Sequence, residues 1–118
     1  MTTEELYRHL GGDYSEVLSR LRSEALIKKL IKMFPDDPGY SNLCIALKYG
    51  DTEGARLATE SLLGVCQNLG FKDLERSVFE VNAALKRGCG AVTDNMLSRL
   101  GSDYEVTAFL TQKFTNEN

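Results

Sequence analysis

Histidine is almost missing from this chain: there is one, His9, near its start. Triads and Cys–His pairs need an imidazole beside a nucleophile. None can be assembled here, and no enzymatic activity is expected. Proline is as scarce, with only Pro35 and Pro38, so long stretches are free of the residue that breaks helices. Cys44, Cys66 and Cys89 are odd in number and lack CxxC spacing. They read as reduced thiols, two of them in apolar helical registers, rather than as a disulfide framework or zinc site. With 14 basic and 17 acidic residues and a net charge of −3, no basic block marks a nucleic-acid footprint. No apolar run approaches the roughly 20 residues of a membrane span. The opening Met1-Thr2-Thr3-Glu4-Glu5 is acidic and polar, unlike a secretory leader. Acidic pairs such as Asp36-Asp37 lack metal-ligand spacing. The expectation is a cytoplasmic protein without metal or cofactor and without nucleic-acid or membrane partners.

What is present is helical punctuation. The chain has 118 residues, of which 42% are hydrophobic and 26% charged, fitting one domain over 1–118. A short helix is predicted from Thr3 to Leu10, stopped by Gly11-Gly12. Asp13 is placed to cap a second, with Tyr14, Val17, Leu18 and Leu21. Ser23 restarts a stripe of Leu26, Ile27, Leu30, Ile31 and Phe34. The Pro35–Pro38 break follows, with Asp37 and Pro38 as an N-cap and first-position pair. Tyr40, Leu43, Cys44 and Leu47 make the next stripe, closed by Gly50.

Asp51 then caps the longest clean helix, reaching Leu69 with Gly70 as its stop. Ala58, Leu62, Val65 and Leu69 share its buried face. Lys72-Asp73 opens a helix burying Leu74, Val78, Val81 and Leu85, ended by Gly88. Thr93 or Asp94 caps the last helix, which carries Met96, Leu97, Leu100, Tyr104, Ala108 and Phe114. Gly101 is a candidate kink, and Thr115 to Asn118 are expected to fray. Short connections between long helices imply antiparallel neighbours. The architecture expected is all-α: an up-and-down antiparallel four-helix bundle with short additional N-terminal helices.

One segment stands out, Thr59-Glu60-Ser61-Leu62-Leu63-Gly64-Val65-Cys66-Gln67-Asn68-Leu69-Gly70. It keeps a glycine inside a helix, at a cost of about 1 kcal/mol relative to alanine. Leu62, Gly64, Asn68, Leu69 and Gly70 match the signature of the histidine-containing phosphotransfer (HPt) domain, His-x-Leu-Lys-Gly-x-x-x-Asn-Leu-Gly. The region from Tyr14 to Gly88 resembles small bacterial members of that family, down to the basic turn Lys86-Arg87-Gly88. The two chemical positions depart from the pattern. Glu60 stands where the phosphorylated histidine belongs, and Leu63 where the lysine belongs. Asn82-Ala83 departs as well, at a place where an acidic residue is common.

The resemblance implies a phosphorelay scaffold whose phosphoacceptor is gone. Residues three and four apart share a helix face, so Arg56, Glu60, Leu63, Gly64 and Gln67 line up opposite the apolar stripe. In the family this face docks the receiver domain of a response regulator, and the partner implied is such a receiver or a sensor kinase. The glycine lets the partner approach closely. Glu60 is the degenerate acceptor position, a fixed charge weaker than the two charges and three oxygens of a phosphate. Three other readings stay open. Gly64 could serve helix packing within the bundle. Glu60 or His9 could be a non-standard phosphoacceptor. The Leu63 face could make a self-associating helical module.

Overall fold

The computed structural model describes residues 1–118, and every regular element is helical. The N-terminal part comprises α1 (Thr3–His9), α2 (Tyr14–Leu21) and α3 (Glu24–Met33). It is followed by α4 (Gly39–Lys48), α5 (Thr52–Leu69), α6 (Lys72–Leu85) and α7 (Asp94–Glu117). Single 3₁₀ turns, Phe34–Asp36 and Cys89–Ala91, link α3 to α4 and α6 to α7. No helix is long and apolar enough to cross a membrane.

Side-chain oxygens start most of these helices by taking otherwise orphaned N–H groups of the first turn. Thr2 and Glu5 form a reciprocal capping box on α1. Asp13 accepts from Ser15 N–H at 3.0 Å, Ser23 from Leu26 N–H at 3.1 Å and Asp51 from Gly54 N–H at 2.9 Å. Thr93, not Asp94, caps α7 through Met96 N–H. Asp37, the expected N-cap, lies one residue before the cap position, which Pro38 occupies. Its carboxylate accepts from Gly39 N–H at 2.9 Å, so Pro38 lies before the helix rather than in its first turn.

Consecutive helices pack as antiparallel pairs: α4 on α5, α5 on α6, and α6 on α7. Registers are fixed by contacts equidistant from each turn. Asn82 meets Thr59 across the α5–α6 seam. On the α6–α7 seam, Ser77 donates to Asp103, and Arg99 pairs with Glu80 at 2.6 Å. Helix α3 lies over α7 and α5, while α1 lies against α2 and α7. The centre of the core is aromatic. The Phe34 ring meets Phe71 edge-on with centroids 5.3 Å apart, and Tyr7 stands 5.9 Å from Phe71. The buried Tyr7 hydroxyl donates to the Leu69 carbonyl at 2.6 Å, tying α1 to the end of α5. Burial pushes the Tyr7 hydroxyl well above its ordinary pKa, so it stays a donor.

Four sequence expectations are corrected. The longest helix is α7, with 24 residues against 18 in α5. It runs unbroken through Gly101, whose missing side chain leaves room for the Tyr40 hydroxyl, 3.1 Å from where a Cβ would sit. Thr115–Glu117 remain helical because the terminal amine of Met1 pairs with Glu117 at 2.8 Å and Asn118 bonds the Phe114 carbonyl. Finally, Val65 is only half-buried. The buried stripe of α5 runs through Ala55, Ala58, Thr59, Leu62, Cys66 and Leu69, turned toward α6.

Candidate functional site

The outer face of α5 carries the singled-out residues in one row. Glu60, Gly64 and Gln67 are exposed, while Arg56 and Leu63 are half-buried. The apolar stripe holds the opposite side of the helix in the core, which leaves this ridge to solvent. A Cβ built on Gly64 would meet nothing within 4 Å. The glycine therefore serves no internal helix packing, and one of the alternative readings falls.

The ridge's charges are tied to one another. Arg56 reaches Glu53 at 2.6 Å and Glu60 at 2.7 Å, one turn to either side. Hydrogen bonding and attraction from Glu53, with help from Glu60, hold the guanidinium above its ordinary pKa. Solvent screens such exposed pairs, so they contribute little to stability. Glu60 is thus a paired carboxylate on a helix surface, not an isolated charge, and this narrows its likeness to a phosphate further.

Apolar side chains flank the ridge on both sides. Leu57 is 54% exposed and Ile45 55% exposed, and both line a shallow cleft of about 390 Å³ between α4 and α5. On the other side the Thr59–Asn82 bond sets the register. One turn further on, Leu63 and Phe79 stand at the same level of the α5–α6 seam, with Phe79 59% exposed. A second cleft of about 400 Å³, lined by Leu30, Met33, Phe34, Val65 and Asn68 among others, opens beside the end of α5.

Sequence reasoning missed Arg20, Phe79, Leu57 and Ile45. Arg20 of α2 donates to the Gln67 and Asn68 carbonyls at 3.3 and 2.9 Å, satisfying the open end of α5. A distant arginine capping a helix leaves no mark in local spacing. The apolar three were legible as large side chains on expected helices, but their exposure depends on how neighbouring helices rotate.

The remaining reactive groups lie apart. His9 is exposed at the end of α1, whose main neighbours are α2 and α7 rather than α5. The Cys66 thiol is buried, which pushes its pKa up to about 12, with Glu75 and Asp37 adding to the shift. Cys89 accepts from the Thr52 hydroxyl at 3.1 Å. No three His, Cys, Asp or Glu side chains gather as metal ligands. The ridge therefore offers a contact surface: bare backbone at Gly64, Glu53 and Glu60 sharing the single Arg56 beside it, and apolar shoulders. No family model, curated protein or solved structure matches this chain.

Proposed function

We propose that this chain is a pseudo-phosphotransfer protein, a cytoplasmic module of two-component signalling. It docks a response-regulator receiver domain on the outer face of α5 without carrying phosphate. The helices would form the up-and-down four-helix bundle of an HPt domain (α4 to α7), with α1 to α3 as additions. The observation that carries the reading is Gly64. A solvent-facing glycine inside an 18-residue helix costs about 1 kcal/mol. Nothing within the fold occupies the space it leaves. Close approach by a second molecule gives that cost a purpose.

Retention of the Leu62, Gly64, Asn68-Leu69-Gly70 frame agrees with this reading, and so does replacement of both chemical positions. A neutral imidazole can take and pass on a phosphoryl group, whereas Glu60 would form a water-sensitive acyl phosphate. Its carboxylate is also engaged by Arg56, which disfavours the non-standard relay. Titration against receiver domains tests the proposal. Binding is expected to be lost in Gly64→Arg with helicity unchanged. Failure to bind any receiver at about 0.1 mM, a limit of roughly 5–6 kcal/mol of affinity, would reject it.

A further inference from the structure

We infer that the α5 ridge discriminates by charge: it takes a receiver domain in its unphosphorylated, magnesium-loaded form and rejects the phosphorylated form. The inference rests on the docking reading above. No lysine or arginine occurs between Arg56 and Lys72, so the two turns on either side of Gly64 contain no cation. Arg56 is shared by Glu53 and Glu60. Two carboxylates against one guanidinium leave the ridge negative.

Two of the cations flanking this stretch are engaged. Arg20 holds Glu16 and the carbonyls at the end of α5. Lys72 lies 3.7 Å from Glu75. Lys86 and Arg87 sit at the far end of α6, beyond Phe79. A phosphoryl group brought over Gly64 carries about two negative charges and three acceptor oxygens. It would meet the Glu60 carboxylate and find no cation in the turns around Gly64 to offset its charge. A magnesium ion in the receiver's acidic pocket offsets the carboxylates there and supplies a local positive charge that Glu60 can approach.

Affinity comes from elsewhere on the same face. Ile45, Leu57, Leu63 and Phe79 form an oblique apolar strip across α4, α5 and α6, with Glu60 and Gly64 in its middle. Burying such side chains around a close-approach point is how a small interface gains its central anchors. A second copy of this chain is a poorer occupant, because a symmetric contact through Gly64 would set two negative ridges against each other.

The test titrates the full chain with receiver domains in magnesium, with and without beryllofluoride as the phosphoryl mimic. Beryllofluoride is expected to weaken binding at least about tenfold, since like charges face each other in the complex. Glu60→Gln should narrow that difference to within about threefold, while Phe79→Ser should weaken both forms alike by about tenfold or more. Equal or tighter binding of the beryllofluoride form overturns the discrimination and leaves the docking reading standing. So does a difference that Glu60→Gln does not change. No binding to any receiver removes both. Concentration-dependent dimerisation abolished by Phe79→Ser would assign the strip to a second copy and overturn the inference.

Discussion

Asn82 on α6 donates a hydrogen bond to the Thr59 hydroxyl on α5 at 2.9 Å, and both side chains are buried. Thr59 in turn donates to the Arg56 carbonyl at 2.8 Å. The bond is a polar pin inside an apolar seam. It sets which residues of α5 and α6 stand level, Leu63 and Phe79 among them.

The pin is asymmetric, and this makes a prediction. Thr59→Ala leaves the Asn82 amide buried with no acceptor, at an expected cost of about 1–3 kcal/mol. Asn82→Ala leaves Thr59 still bonded to Arg56, so its cost is chiefly lost packing. The two changes share one interaction and should be non-additive, with a coupling of roughly 0.5–1.5 kcal/mol. Urea unfolding of both single variants and the double variant measures it. Strict additivity would mean that the bond does not couple the helices.

Two glycines of the signature answer to different physics. Gly70 has φ +74°, and a Cβ there would sit 2.4 Å from Val17 Cγ2. Gly70→Ala therefore meets both left-handed strain and a clash, and is expected to destabilise by about 1–3 kcal/mol or more. Gly64 is helical and open to solvent, so Gly64→Ala should stabilise by up to about 1 kcal/mol. Thermal unfolding of the pair should give shifts of opposite sign. A destabilised Gly64→Ala would reveal an internal constraint at that position and remove the main support for docking.

Local chemistry made much of this legible in the sequence. Asp13, Ser23, Asp51 and Thr93 announce helix starts, and Gly70 a stop, because each satisfies or ends a run of backbone groups by itself. The ridge of Glu60, Gly64 and Gln67 followed from helical spacing alone. What stayed hidden depends on helices meeting. Leu26, expected in a buried stripe, is 40% exposed, since amphipathic spacing gives a face but not how much of it a neighbour covers. Val65 and Cys66 are adjacent in sequence, and only the crossing of α5 with α6 decides which one is fully buried. Phe71, a pillar of the core, sat in a connection that periodicity cannot describe. The Met1–Glu117 pair joins residues at opposite ends of the chain.

Alkaline pH should unfold this protein through two buried acids. Burial raises the Tyr7 hydroxyl far above its usual range, and raises the Cys66 thiol to about 12. In the unfolded chain these groups lose protons near their ordinary values, about 10 for tyrosine and 8.5 for cysteine. Between those values and the folded ones, the native state binds more protons than the unfolded state. Stability is then complete below about pH 8.5 and falls as pH rises. Cys66 contributes first, up to about 12, and Tyr7 joins from about pH 10. Each group fully within its window adds a slope of about 1.4 kcal/mol per pH unit. Cys66→Ala should remove the earlier part of the decline, at the cost of a small cavity. Tyr7→Phe should remove one proton's worth of the later part and also lose the bond to the Leu69 carbonyl, worth about 1 kcal/mol. Urea midpoints recorded from pH 7 to 11 check both. An unchanged midpoint between pH 8.5 and 10 in the wild type would mean that Cys66 titrates normally and is not held in the core.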